Sequence, residues 1–202
     1  ENSTPIFPTD TVDLLILYPE DTEEILCESH LPERFTGALR TPIVSFVGKS
    51  NSGKTTLLEK VIRELASRGY RIGSVKHDAH RFEIDSPGKD SFRHRAAGAR
   101  VVAISSNDKV AVIESITSRR TLDQIVEGFG DAVDIVFTEG FRRAGKPKVE
   151  VCRSERSQEL MCAPDELLAV VSDRKFALPV PRFGLEDTAA LADLIEGRFL
   201  RR

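Results

Sequence analysis

The chain has 202 residues, of which 40% are hydrophobic and 30% charged, and its formal net charge is -3. This length suffices for one α/β domain with a full core, or for such a domain with a small appendage. The charge balance excludes the global positive field expected of a nucleic-acid-binding protein. No apolar run approaches the ~20 residues that cross a bilayer, and no signal peptide is visible. Together with three cysteines at unpaired spacings, these features predict a cytoplasmic protein with reduced thiols.

Residues 1–41 differ in composition from the rest of the chain. They contain four prolines and many Asp, Glu and Thr residues, and their apolar run at 12–18 could form an edge strand. Two interpretations stay open: an N-terminal extension of a main domain at residues 42–202, or a fragment of a module fused upstream. The chain also begins with Glu1 rather than methionine, as a fragment or a processed protein would.

A regular pattern begins after residue 42. The short apolar run at residues 43–47 predicts a buried parallel strand. Residues 55–67 predict a helix, because their apolar residues recur four apart and share one face, and Gly69 stands where a C-terminal cap is expected. Residues 71–77 predict the next strand. Together these segments predict a βαβ unit with a right-handed crossover.

A phosphate-binding loop is predicted between this first strand and its helix. Residues 48–55, GKSNSGKT, match the pattern GxxxxGK[ST]. The two glycines let the backbone curl, so that successive N–H groups point into a concave anion site. Lys54 brings a positive charge to the β- and γ-phosphates, the Thr55 hydroxyl is placed for Mg²⁺, and the helix N-terminus faces the anion. The predicted nucleotide contacts are Gly48, Lys49, Ser50, Asn51, Ser52, Gly53, Lys54, Thr55 and Thr56.

Further elements follow in regular order, and they predict an α/β fold of the P-loop NTPase type. Its mostly parallel sheet is flanked by helices and carries an added antiparallel hairpin or edge strands. Thr121 is the expected N-cap of one helix. The predicted helices lie at 91–99, 121–129 and 187–199, and the predicted strands at 100–105, 109–114, 132–138, 147–153 and 167–172.

Lys49, at the second position of the loop, has two interpretations. In MinD-like ATPases a lysine at this position reaches the phosphates of a dimer partner. The alternative is a lysine that simply faces solvent.

Glu139 is the strongest candidate for the acidic partner that a P-loop NTPase needs near Mg²⁺. It follows an apolar strand and precedes Gly140, at the edge of the sheet where such proteins bind ligands. Asp134 opens the same strand and should lie at the opposite edge, roughly 17 Å away. A carboxylate that merely caps a loop remains the alternative for Glu139.

A DxxG pattern begins at Asp85. In nucleotide switches such a loop can contact the γ-phosphate through Mg²⁺, with the N–H of its glycine nearby. The alternative is a turn built by Asp, Pro and Gly. Asp85 and Glu139 are thus the two candidates for catalytic carboxylates and, with Thr55, for Mg²⁺ ligands. Lys89 and Arg93 add positive charge in the same segment, which could bind a second anionic ligand or form an ordinary solvated surface. The motif HDAH at 77–80 offers no third metal ligand at a convincing spacing, which favours a structural role.

Several segments, taken together, resemble the MobB family of molybdopterin-guanine dinucleotide biosynthesis adaptor proteins. They are the loop at 48–55, SVKH at 74–77, DSPGKDSFR at 85–93, AGA at 97–99 and TEGF at 138–141. The resemblance implies a homodimer that binds GTP with Mg²⁺ and hydrolyses it weakly. It also implies an accessory role for the guanylyltransferase of molybdenum cofactor synthesis and other enzymes of that cofactor, with molybdopterin itself as a further partner. No nucleic acid and no membrane partner is implied. Asp85, Lys89, Asp90 and Arg93 match the central loop of the family, and the resemblance implies that this loop contacts the nucleotide or acts as a switch.

No NKxD motif for reading guanine is present in the sequence. Asp173 ends a predicted strand where such a motif would lie, and its carboxylate could accept hydrogen bonds from guanine N1 and N2. A turn aspartate is the equal alternative. Preference for guanine therefore comes from the resemblance alone.

Three functions remain to be compared. The first is a GTP-binding accessory protein of molybdenum cofactor synthesis. The second is an ATP-dependent small-molecule kinase with Asp78, Asp85 or Asp90 as its base. The third is a dimeric scaffold that nucleotide binding switches without turnover.

Overall fold

The computed structural model describes residues 41–77 and 83–201. These residues form two compact units, one at 41–77 with 133–201 and the other at 83–132. The predicted strand at 12–18 lies outside the described residues, as do Cys27, Asp78 and His80. The predicted domain boundary at residue 41 stays a prediction.

A six-stranded sheet forms the larger unit, with the strand order β2-β5-β1-β6-β7-β8. Every pairing in it is parallel, so the predicted fold class is confirmed. The first strand is fully buried and lies between β5 and β6, as its continuous apolar run predicts. The strands are β1 (Ile43–Val47), β2 (Ile72–Lys76), β5 (Ile135–Glu139), β6 (Lys148–Cys152), β7 (Leu167–Ser172) and β8 (Arg182–Phe183).

Two helices cover one face of this sheet. Helix α1 (Lys54–Ser67) and helix α4 (Thr188–Phe199) pack on each other and on the side chains that point to that face. Burial of each large aliphatic side chain there contributes about 1.5–3 kcal/mol. The buried side chains of this core include Val44, Phe46, Leu57, Leu58, Val61, Leu65, Phe137, Val149, Val151, Leu191 and Ile195.

The smaller unit contains two short helices and a β-hairpin. Its elements are α2 (Asp90–Ala96), β3 (Val101–Ser105), β4 (Val110–Glu114) and α3 (Leu122–Glu127). The two strands pair antiparallel across the turn at 106–108, which confirms the predicted hairpin. Thr121 caps α3 as predicted, and Gln124 completes a capping box that the sequence analysis did not include. Within the described ranges, no helix is long and apolar enough to cross a membrane.

Several elements differ from the sequence-based predictions; helix α2, for example, ends at Ala96 rather than at residue 99. Strand β5 begins at Ile135 rather than at residue 132, because Gly130–Ala132 form a short 3-10 helix. At its other end the strand is one residue longer than predicted, so that Glu139 is its last residue and not the residue after it. The two-residue strand β8 was not predicted, since it is too short to show a period.

The cysteines in the described part of the chain, Cys152 and Cys162, are free and buried. Burial and the nearby Glu150 carboxylate raise the pKa of Cys162 to about 12. The Glu150 oxygens accept hydrogen bonds from the main-chain N–H groups of Met161 and Cys162 at 2.6 and 3.0 Å. Cys162 is thus an unreactive thiol packed at a hydrogen-bonded turn.

The Asp134 carboxylate ties the N-terminal ends of β5 and β2 together. It accepts a hydrogen bond from the main-chain N–H of Arg71 at 2.8 Å and ion-pairs with the Arg71 guanidinium at 2.6 Å. The hydrogen bond from the Arg71 side chain lowers the pKa of Asp134 from its ordinary value of 3.8. Asp134 thus lies at the sheet edge opposite to the C-terminal end of β5.

This carboxylate predicts an acid-dependent contribution to stability. A carboxyl group whose pKa is lowered on folding stabilises the fold above its unfolded pKa, and this contribution is lost as the pH falls through the folded pKa. We expect Asp134→Asn to lower the free energy of unfolding by about 1 kcal/mol at pH 7, a modest figure because Arg71 is largely exposed. In urea denaturation at about pH 3 the difference should shrink. An equal difference at both pH values would contradict a role for the charge.

Candidate nucleotide-binding site

The loop between β1 and α1 is closed by its own hydrogen bonds. The Ser52 N–H donates to the Lys49 carbonyl at 3.2 Å, and the Lys54 ammonium donates to the same oxygen at 2.9 Å. Asn51 adopts a left-handed conformation with φ 59°, and Gly53 does so with φ 91°. The loop is therefore curled in the way that turns successive N–H groups toward one point.

Both glycines of the loop lie close to the end of β6, and Gly48 lies too close for any side chain. A methyl group placed on Gly48 would lie 2.3 Å from the Val151 carbonyl oxygen of β6. A methyl group on Gly53 would lie 3.3 Å from Nε of Arg153. The end of β6 thus lies directly against the loop at two points.

The N-terminus of α1 is left available to an anion. Gly53 is the N-cap, and no side chain among the described residues caps this end. The first N–H groups of a helix have no partner within the helix, and together with the helix dipole they favour a bound phosphate. The buried Ser52 hydroxyl also has no hydrogen-bond partner in the described structure. These open donors fit a phosphate group.

Glu139 and Thr55 meet at the mouth of the loop. The Thr55 hydroxyl lies 2.9 Å from both carboxylate oxygens of Glu139 and donates to them. Glu139 shares the α1 face of the sheet with Phe137, because alternate residues of a strand point to the same side. A hydroxyl and a carboxylate are the oxygen ligands that Mg²⁺ prefers, so this pair fits the metal.

The turn after Glu139 is held in an unusual conformation. Gly140 has φ 96° and Phe141 has φ 51°, a left-handed conformation that is uncommon for an aromatic residue. The Phe141 ring lies 4.9 Å from the His77 ring, and the main-chain N–H of His77 donates to the Glu139 carbonyl at 2.9 Å. These contacts fix the position of the main chain at Glu139, where β5 ends.

The residues predicted from the DxxG pattern lie in the smaller unit. Asp85 is buried, and one of its oxygens accepts a hydrogen bond from the Ser91 hydroxyl at 2.8 Å. Its other oxygen has no partner among the described residues. Lys89 is the N-cap of α2, and Arg93 lies 3.2 Å from Asp90 on the exposed face of that helix. These contacts form an ordered turn that leads into α2.

Asp173 holds the turn after β6 in place. Its two oxygens accept hydrogen bonds from the N–H and the hydroxyl of Ser154 at 2.9 and 2.8 Å. The same bonds lower the pKa of Asp173, so the carboxylate stays ionised at neutral pH. The Asp173 side chain is exposed.

Sequence reasoning missed Arg153 as a residue of this site. In the sequence analysis it is only the last residue of a predicted strand at 147–153. Its contact with Gly53 depends on the pairing of β6 with β1, which the sequence does not specify. A cleft of ≈ 420 Å³ opens beside the loop and is lined by Lys49 and residues 154–159.

The contact between Gly48 and β6 predicts an uneven cost of glycine substitution. Gly48→Ala should lower the free energy of unfolding by about 3 kcal/mol or more, because the added methyl meets rigid backbone at 2.3 Å. Gly69→Ala is the control. Gly69 also has positive φ but open space around it, so its cost should be about 1 kcal/mol. Urea denaturation measures both, and equal costs would contradict the close approach to β6.

Comparison with known proteins places this chain in one family. The family model of MobB, described as molybdopterin guanine dinucleotide synthesis protein B, matches residues 43–173 of this chain. The molybdopterin-guanine dinucleotide biosynthesis adapter protein of Escherichia coli (strain K12) is 33% identical over 165 residues, covering 79% of this chain and 94% of that protein. The adapter protein of Haemophilus influenzae is 32% identical over 156 residues, covering 77% and 88%.

Solved structures agree with these sequence matches. A crystal structure of molybdopterin-guanine biosynthesis protein B has a TM-score of 0.61 at 31% identity and covers 77% of this chain and 99% of that one. Bacillus subtilis MobB has a TM-score of 0.61 at 28% identity, with coverage of 80% and 99%. The resemblance stated from the motifs is confirmed: the chain belongs to the MobB family.

Proposed function

We propose that this protein is a GTP-binding accessory protein in the synthesis of molybdopterin guanine dinucleotide. The observation that carries the proposal is the curled loop at 48–55 with the Thr55–Glu139 hydrogen bond at its mouth. Its relatives from Escherichia coli and Haemophilus influenzae bear the name of adapter proteins for this dinucleotide.

The loop supplies most of the phosphate contacts in this proposal. The main-chain N–H groups of residues 48–56 surround the β- and γ-phosphates, and the Lys54 ammonium leaves the Lys49 carbonyl to bind them. Exchange of a neutral acceptor for a charged phosphate favours this movement, because hydrogen bonds between ionised groups are about twice as strong.

Thr55 and Glu139 hold Mg²⁺ in the proposal. Bound there, the ion would neutralise charge on the β- and γ-phosphates. In place of its present hydrogen bond to Glu139, the Thr55 hydroxyl would serve as a ligand of the metal. We expect slow hydrolysis, because neither an arginine finger nor a water-positioning glutamine can be assigned from the sequence.

Residues 85–93 and Asp173 have proposed roles at the ends of the nucleotide. The buried oxygen of Asp85 that lacks a partner among the described residues supports a switch contact, with Lys89, Asp90 and Arg93 beside it. Asp173 is ionised and accepts hydrogen bonds, which suits the N1 and N2 donors of guanine.

The proposed partners follow from the adapter role. They are a second copy of this chain, the guanylyltransferase that adds GMP to molybdopterin, other molybdenum cofactor enzymes and molybdopterin itself. The proposed location is the cytoplasm, where the protein would encounter these partners.

Lys54→Ala tests nucleotide binding. We expect the affinity for GTP to fall at least about a hundredfold, because a charge-assisted contact to two phosphates is lost. Calorimetric titration with GTP and ATP measures it, with the exposed Lys109→Ala in the β3–β4 turn as a control. Unchanged GTP affinity in Lys54→Ala would contradict the site. Tighter binding of ATP in the wild type would favour the kinase, and GTP binding without any turnover would favour the scaffold.

Glu139→Gln tests the metal contact. The amide keeps an acceptor for Thr55 but removes the charge, so GTP affinity in Mg²⁺ should fall about tenfold and affinity in EDTA should not fall. Asp134→Asn, at the other end of the same strand, is the matched control and should bind GTP normally. An equal loss of GTP affinity with and without Mg²⁺ would indicate that a carboxylate other than Glu139 binds the metal.

A further inference from the structure

Arg153 occupies a defined place beside the phosphate loop. It follows the last residue of β6, and it shares the α1 face of the sheet with Val149 and Val151. Val47 pairs with Glu150, so three residues later Arg153 has passed the sheet edge and reached the level of the loop. Its Nε and one terminal nitrogen lie 3.3 and 3.4 Å from where a Gly53 side chain would begin.

The guanidinium is held there without a hydrogen-bond partner for its buried edge. The Nε of Arg153 is inaccessible to solvent and has no acceptor among the described residues. Burial of an unpaired donor costs free energy, so an acceptor that arrives with a ligand would restore what folding gives up.

The main chain around Arg153 is fixed independently of its side chain. The Arg153 carbonyl accepts hydrogen bonds from the N–H groups of Arg156 and Ser157, both at 2.9 Å. The next residue, Ser154, is bound to Asp173 through its N–H and hydroxyl. A charged group on such a preorganised backbone can bind a ligand with little loss of entropy.

The position of Arg153 also indicates which part of a bound nucleotide it would contact. Strand β1 lies between β5 and β6. Glu139, the proposed metal contact, stands at the end of β5, and Arg153 stands at the end of β6 on the other side of the loop. A nucleotide whose Mg²⁺-bound β- and γ-phosphates lie on the β5 side directs its α-phosphate and nucleoside to the β6 side. The cleft lined by Lys49 and residues 154–159 opens beside the loop, next to the turn that follows Arg153.

We propose that Arg153 binds the α-phosphate of the nucleotide and so contributes equally to the binding of nucleoside mono-, di- and triphosphates. This inference rests on the proposed function, because it requires a nucleotide in the loop. The guanidinium fits the role, since its planar fork binds phosphate oxygens with two parallel hydrogen bonds. It supplies the positive charge on the side of the loop that lies away from Glu139.

The test compares three nucleotides on one variant. Arg153→Gln should weaken GTP, GDP and GMP by the same factor, about tenfold to a hundredfold, as expected for one charged hydrogen bond. The ratio of GTP to GDP affinity and the Mg²⁺ dependence should stay at their wild-type values. The nucleotide affinities of Arg153→Lys should lie between those of the wild type and of Arg153→Gln, because lysine keeps the positive charge but not the planar fork of the guanidinium. Arg63→Gln, an exposed position on α1, is the matched control and should bind all three normally.

Thermal melting separates binding from a structural role. Without nucleotide, Arg153→Gln should melt within a few degrees of the wild type, since it removes an unpaired donor, and only its stabilisation by GDP should shrink. Unchanged affinities, or a large loss of melting temperature with normal affinities, would overturn the inference. A loss confined to GTP would also overturn it, because it would assign Arg153 to the γ-phosphate. Wild-type protein that binds ATP but no guanine nucleotide would refute the proposed function alone, and the same series with ATP, ADP and AMP would then decide the role of Arg153.

Discussion

The close approach of β6 to the phosphate loop is the constraint on which the rest of the site depends. The carbonyl of Val151 lies where a Gly48 side chain would be, and the Arg153 guanidinium packs over Gly53. Because Gly48 has no room for a side chain, the loop lies directly against a rigid strand, and its own hydrogen bonds are not all that holds its curl. The anion site is therefore formed before any ligand arrives, which is the condition for binding phosphate without a large ordering cost.

The parallel sheet explains why groups of opposite charge flank this loop. Parallel strands end at the same edge, so β5 and β6 deliver their last residues to either side of β1. On β5 that residue is Glu139, a carboxylate next to the Thr55 hydroxyl, which suits a metal. Directly after β6 comes Arg153, whose guanidinium suits a phosphate. The order of the strands thus places a carboxylate on one side of the loop and a guanidinium on the other.

Local sequence signals predicted what local physics decides. The apolar run of β1, the glycine pattern of the loop and the cap at Thr121 each act within a few residues, and each appears in the structure where it was expected. The predicted start of β5 at residue 132 was wrong. The apolar pair at 132–133 suits a strand, but the preceding Gly130 has φ 53° and the chain passes through a 3-10 helix at Gly130–Ala132. Arg153 could not be placed on the loop, since its contact with Gly53 crosses between strands about a hundred residues apart in the sequence.

The register between β1 and β5 decides whether Glu139 can act at all. Phe46 pairs with Glu139, and this pairing puts Ile135, Phe137 and Glu139 on the face that α1 covers. A slip of one residue would turn all three to the other face and move the carboxylate away from Thr55. The Phe46–Phe137 ring contact, edge to face at 5.5 Å in the buried core, opposes such a slip. The hydrophobic core beneath the site therefore fixes the position of its acidic residue, and packing in the sheet is part of what makes the loop a binding site.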